Sequence, residues 1–214
     1  MPRDGDVAES LLEDEPFEAP VLAGETAFEG AIWDVRRDRV AFGGEELTRE
    51  YLKHPGAVAI LALDDEERVL LIKQYRHPVR MREWEIPAGL LDVDGESPLA
   101  AAQRELAEEA DLRAERWNVL ADYLSSPGAS DEALRVYLAR GISATATPHD
   151  RDGEEADMEL RWVPLAEAAA AVLERRVHNP SLTVGVLAAL ASRADGWASL
   201  GAADEPWPAR PHRA

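Results

Sequence analysis

The 214 residues predict an α/β (α+β) chain with a small antiparallel β subdomain near its N-terminal end. Three observations carry that reading. Short β-like runs fill residues 20–52 around a Gly43-Gly44 turn. Two apolar runs, 57–63 (AVAILAL) and 69–74 (VLLIKQ), have the length and composition of buried strands. Residues 97–110 carry a helical pattern, and two more such patterns close the chain.

Residues 1–18 form an acidic tail with Asp4, Asp6, Glu9, Glu13, Asp14, Glu15 and Glu18, expected to be mobile. Residues 19–54 make the N-terminal subdomain, with strands at 20–24, 30–36, 39–42 and 46–52. So few strands bury little by themselves, so they must pack on the rest of the chain or on a second copy. Residues 55–200 make the main domain. Its first two strands, 57–63 and 69–74, are joined by the acidic turn 64–68 and are expected to pair as a hairpin. A short strand at 84–87 leads into a Gly-Leu-Leu loop. The helix 97–110 opens with Ser97 as N-cap and Pro98 at its first position. Leu99, Ala102, Leu106 and Ala110 fall within about an 80° arc at 100° per residue, which is the face to be buried. Strands follow at 117–124, 134–139 and 159–163, then helices at 165–175 and 181–194. Residues 201–214 are Pro-rich and read as irregular.

Composition narrows the chemistry. There is no cysteine, which excludes disulfides, a thiolate nucleophile, Cys-ligated zinc and iron–sulfur clusters. The five histidines are scattered and form no metal pattern. A net charge of −19 opposes binding to nucleic acid, so an anionic substrate would need local arginines or metal ions. The N-terminal stretch lacks an apolar core of the signal-peptide kind, and no run approaches the ~20 apolar residues of a membrane span. The expectation is a cytoplasmic protein with no membrane or nucleic-acid partner. Trp33, Trp84, Trp117 and Trp162 read as core or interface residues.

The segment 89–112, GLLDVDGESPLAAAQRELAEEADL, is the informative one. Glu105 and Glu109 are four apart on the helix and share a face, with Glu108 about 60° round from Glu105. At ~5 Å and an effective dielectric of ~20, each pair of carboxylates repels by roughly 3 kcal/mol. One neighbouring arginine, Arg104, offsets only part of that. A solvated acidic face is the plain alternative in a chain with 42 acidic residues. Oxygen-only ligands would suit Mg²⁺ or Mn²⁺.

The flanking residues favour the metal. Gly89, Glu96, Arg104, Glu105, Glu108 and Glu109 stand in the order and spacing that resembles the Nudix box, with Leu106 and Leu112 at its aliphatic positions. Two departures stand out. Six residues separate Gly89 from Glu96 where the box has five, and Asp111 replaces the second glycine. The extra residue falls in a loop, and Asp tolerates the left-handed conformation that the glycine serves. The resemblance implies the Nudix fold, a mixed β-sheet sandwiched between helices, and hydrolysis of a nucleoside diphosphate joined to another group.

The wider chain resembles the bacterial ADP-ribose pyrophosphatase branch of that family from about residue 21 to 190. QYRHP (74–78), WEIPAGLLD (84–92), SSPGASDE (125–132) and EEADM (154–158) carry the resemblance, with Pro127 sixteen residues past Asp111. By that resemblance the reaction gives AMP and ribose 5-phosphate. Glu105, Glu109 and the backbone carbonyl of Ala88 would hold the metal, and Glu108 would be a ligand or a water-mediated contact. Glu155, or its neighbour Glu154, would be metal ligand and general base, against a solvated loop as the alternative. Arg76 would hold phosphate or stack on adenine, Leu90 would contact substrate, and Glu132 would accept bonds from ribose hydroxyls. The N-terminal sheet would be exchanged in a homodimer, with Ala31 and Ile32 lining the adenine pocket and Arg49 and Glu50 nearby. Simple packing explains Ala31 and Ile32 equally well. Two other functions stay open: hydrolysis of another nucleoside diphosphate derivative, such as a nucleotide sugar or dinucleotide, and nucleotide sensing without catalysis.

Overall fold

The computed structural model describes residues 12–149, 158–208 and 210. Three strands, β1 (Val21–Phe28), β2 (Asp34–Phe42) and β3 (Glu45–Lys53), form an antiparallel sheet. The β2–β3 ladder closes on the Gly43-Gly44 turn, where both glycines have positive φ. Two of the expected short strands are one: β2 runs unbroken to Phe42, while residues 30–33 bend, with the Gly30 N–H bound to Asp34 Oδ1 at 3.2 Å. β1 is exposed along its whole length. Val21, Leu22, Phe28, Ile32 and Phe42 are all more than half exposed in the single chain.

The main domain is built on a mixed five-stranded sheet in the order β11-β8-β9-β4-β7. Its members are β4 (Ala57–Ala62), β7 (Ala88–Leu90), β8 (Leu112–Leu124), β9 (Ala133–Ala144) and β11 (Gly201–Ala202). Strand β4 pairs parallel with β9 and antiparallel with β7. It is buried end to end because alternate residues serve two cores. Ala59 and Leu61 pack with α2 (Leu165–Leu173) and α3 (Pro180–Ala194), while Val58, Ile60 and Ala62 pack under α1 (Pro98–Ala110). Helices therefore cover both faces of the sheet, the architecture expected from the sequence. No helix among the described residues is long and apolar enough to cross a membrane.

One expectation fails. The strands at 57–63 and 69–74 are not a hairpin. β5 (Arg68–Arg76) belongs to a second sheet, β10-β5-β6, with β6 (Met81–Glu85) and β10 (Glu159–Pro164), and is joined to the first in backbone pairing by the isolated Leu63–Val69 bridge. The turn does form: Asp64 Oδ1 accepts from the N–H groups of Glu66 and Arg68. Both strands, however, are apolar on two faces, so each needs covering on both sides and takes separate neighbours. The chain after residue 200, read as irregular, contributes β11, and Arg135 bonds the carbonyls of Glu205 and Pro206 there.

Candidate active site

Helix α1 forms where the sequence places it. Ser97 Oγ accepts from the Ala100 N–H, Pro98 occupies the first turn, and Asp111 ends the helix at φ 55° and ψ 34°. Ala101, Ala102, Leu106 and Ala110 are buried against the sheet, with Leu99 partly so. That packing fixes the rotation of the helix, and the rotation turns Glu105 and Glu109 toward β7. The Ala88 N–H donates to Glu109 Oε2 at 3.0 Å. Glu109 is itself buried, which a carboxylate tolerates only with such a partner. Gly89 is the close neighbour of Glu105: a Cβ there would fall on its carboxyl group. One short strand and one helix face thus bring Ala88, Gly89, Glu105 and Glu109 together.

Arg104 is the counter-charge of this face. Its Nε and Nη2 donate to the two oxygens of Glu96, both at 3.0 Å, and its Nη1 donates to Glu105 at 2.7 Å and Glu108 at 2.9 Å. The bonds to Glu96 hold the Arg104 pKa far above its ordinary value. The same bonds hold Glu96 below its own. Among the described residues no three His, Asp or Glu side chains stand as a ready metal cage. The positive charge between Glu105 and Glu108 is the guanidinium. The donor chemistry suits a hard divalent cation all the same: three carboxylates on one helix face, a glycine cradle beside them and no nitrogen or sulfur ligand.

The other expected residues divide in two groups. Leu90 and Glu132 lie on opposite sides of β4: Ala57 pairs with Leu90 on one side and, on the other, with Leu134, two residues past Glu132. Glu132 accepts from Ser125 Oγ, and its other oxygen lies 3.4 Å from His54 Nε2. Arg76 ends β5, with a side chain about half exposed. Arg49 and Glu50 sit on β3 of the N-terminal sheet, whose strands pack chiefly on each other, and Ala31 and Ile32 in the bend between β1 and β2. There Glu50 pairs with Arg37, Arg49 bonds the Thr48 carbonyl, and Ala31 and Ile32 are exposed. Glu154 and Glu155 lie outside the described residues. Trp84, Trp117 and Trp162 pack against the two cores, while Trp33 is 41% exposed and stacks on His54.

Two residues escaped the sequence reading. Glu85 is 2% exposed and takes a two-pronged bond from Arg76, at 2.8 and 2.7 Å. That bond raises the Arg76 pKa and aims its guanidinium. A lone glutamate between Trp84 and Ile86 was the available sign, but its partner lies nine residues back on another strand. His54 is the second. Its only mark in the sequence is a place at the boundary between the two β regions.

Residues 53–182 match the NUDIX domain family. An ADP-ribose pyrophosphatase of Mycobacterium tuberculosis (strain ATCC 25618 / H37Rv) is 47% identical over 191 residues, 89% of this chain and 91% of that protein. An ADP-ribose pyrophosphatase of Bacillus subtilis (strain 168) is 36% identical over 164 residues, 76% of this chain and 88% of that one. The solved structure of an ADP compounds hydrolase superposes with a TM-score of 0.68 at 20% identity, covering 87% of this chain and 99% of that chain. The last likeness is one of fold.

Proposed function

Because this chain belongs to the NUDIX family, we propose that it hydrolyses the diphosphate of ADP-ribose to AMP and ribose 5-phosphate. One observation carries the substrate: 47% identity to an ADP-ribose pyrophosphatase over nine-tenths of both chains. The site supports the reaction, since Gly89, Glu96, Arg104, Glu105, Glu108 and Glu109 are all present and α1 stands against β7.

In the reaction, water attacks one phosphorus, the bridging P–O bond breaks, and the water proton passes to a base. Glu105, Glu109 and the Ala88 carbonyl would hold a divalent cation, Mg²⁺ or Mn²⁺, with Glu108 as a further ligand or a water-mediated contact. When bound, the cation would supply neutralisation of the diphosphate and activation of the water. The chain's own residues do the rest. Arg76, aimed by Glu85, binds the phosphates. Leu90 and Glu132 line the substrate, with Glu132 accepting from ribose hydroxyls. Glu155 is the general base, with Glu154 as its alternate and Glu108 behind them.

The chain works as a homodimer. The uncovered N-terminal sheet supports this, because exposed Val21, Leu22, Phe28, Ile32 and Phe42 form more apolar surface than a small sheet leaves to water. In the dimer Arg49, Glu50 and Ile32 approach the partner's nucleotide. The substrate is a soluble nucleotide met in the cytoplasm, and the −19 charge supports a small ligand over nucleic acid.

The test is product analysis on purified protein with Mg²⁺ and a panel of ADP-ribose, nucleotide sugars and dinucleotides. AMP and ribose 5-phosphate released fastest from ADP-ribose is the expected result. A faster nucleotide sugar or dinucleotide replaces the substrate assignment, and no turnover of any of them removes the hydrolase reading.

A further inference from the structure

His54 sits where the N-terminal sheet meets the loop that carries Glu132. The end of β3 is clamped to that loop by three bonds: Leu52 N–H to Ala129 O, Asp131 N–H to Leu52 O, and His54 N–H to Asp131 Oδ1 at 2.7 Å. The imidazole is 9% exposed and stacks on Trp33 at 5.5 Å between ring centroids. Its Nδ1 accepts from the Gly56 N–H at 3.1 Å. A backbone N–H can only donate, so Nδ1 carries no proton, and the ring proton is on Nε2. Nε2 faces Glu132 Oε1 at 3.4 Å, while Ser125 Oγ–H holds the other carboxylate oxygen. The Glu132 backbone N–H is bound by Ser130 Oγ. Glu132 therefore accepts a hydrogen bond from Ser125 on one oxygen and has the His54 ring 3.4 Å from the other, a quarter exposed, with lone pairs left on both oxygens.

We propose that His54 is a positioning residue for specificity: locked as an Nε2–H donor, it holds Glu132 as a two-oxygen acceptor for the vicinal hydroxyls of a ribose. A carboxylate held on both oxygens meets a diol without first losing rotational freedom, which is how a distant group changes binding without touching the ligand. The inference rests on the reading of Glu132 as the ribose contact. It assigns to His54 a role in choosing the sugar and none in breaking the phosphate bond.

The two amide isosteres of histidine separate the ring's two contacts. His54→Asn keeps an acceptor at the Nδ1 position for Gly56 and loses the donor to Glu132. His54→Gln keeps a donor near the Nε2 position. Each is assayed on ADP-ribose and on two analogues, one with a 2′-deoxy adenosine ribose and one with a 2-deoxy terminal ribose. The analogue that is insensitive identifies which ribose is read. H54N is expected to raise KM for ADP-ribose by about tenfold with kcat within about twofold, and to leave KM for that one analogue unchanged. H54Q is expected to stay within about twofold of the parent on ADP-ribose. Equal losses on all three substrates, or no loss on any, overturn the proposal. Glu132→Gln run in parallel tells the two failures apart. If E132Q is selective and H54N is not, the role of His54 falls alone; if E132Q is not selective, the Glu132 reading falls and takes this one with it. Should H54N not fold, His54→Ala with free imidazole reads the same comparison, and failure of imidazole to restore KM counts against the proposal.

Discussion

A Cβ on Gly89 would lie 2.0 Å from the carboxyl carbon of Glu105, so only a hydrogen fits between strand β7 and that side chain of α1. The obstacle is the far end of a flexible side chain, which can swing aside. Gly89→Ala is therefore expected to fold normally, with Tm within a few degrees, and to displace the Glu105 carboxylate. A misplacement of about 1 Å in a metal-binding group costs on the order of 10²-fold in kcat. Thermal unfolding read beside steady-state rates tests this. An active G89A protein would show that the Glu105 position is irrelevant to turnover.

Removal of the divalent cation tests the role of the acidic face directly. Excess EDTA is expected to abolish hydrolysis, and added Mg²⁺ or Mn²⁺ to restore it. Glu109→Gln keeps an oxygen for the Ala88 N–H and loses the charge. It is expected to cost on the order of 10³-fold in rate while Tm is nearly kept. Full turnover in EDTA would sink the metal mechanism.

The base can be told from the ligands by kinetics. Glu155→Gln is expected to lower kcat strongly with KM little changed, because amide and carboxylate have nearly the same shape. Glu154→Gln is expected to be milder. Normal turnover in both variants moves the base to Glu108.

Assembly has a direct readout. Light scattering at micromolar concentration is expected to give twice the 23.5 kDa of one chain. Replacing Val21 and Phe28 on β1 with polar residues is expected to halve that mass. A monomeric mass with full activity would contradict the homodimer.

The Glu96–Arg104 pair sets a pH window for stability. Bonding to Arg104 holds Glu96 below its ordinary pKa of 4.5. A carboxylate with a depressed folded pKa contributes above the unfolded value and loses that contribution as pH falls through the folded one. The Tm gap between the parent and Glu96→Gln is expected to be about 1–2 °C near pH 7, modest because the pair is partly solvated. It is expected to close as pH drops below 4.5. A gap that persists at pH 3 would mean the bond contributes through something other than charge.

What the sequence by itself determined is what depends on neighbours a few residues away. Ser97, Pro98 and the spacing of Ala102, Leu106 and Ala110 define α1, because capping and helical periodicity act within about four residues. Once that helix is placed, Glu105, Glu108 and Glu109 fall by arithmetic on neighbouring positions beside its buried arc, and the order of Gly89, Glu96 and Arg104 points to the family. Tertiary structure alone decided the rest. The strand at 57–63 was legible and its partners were not, since pairing is settled by which surfaces remain to be covered after the chain has folded back. Arg135 lies inside an apolar strand and gives no local sign that Asp122, thirteen residues earlier, holds it there at 2% exposure. Glu85 reaches Arg76 only because β5 and β6 run antiparallel side by side, and His54 finds Glu132 only because β3 ends against the loop after β8. Side-chain partners across a fold are chosen by register and packing, and neither is written in the spacing of residues along one strand.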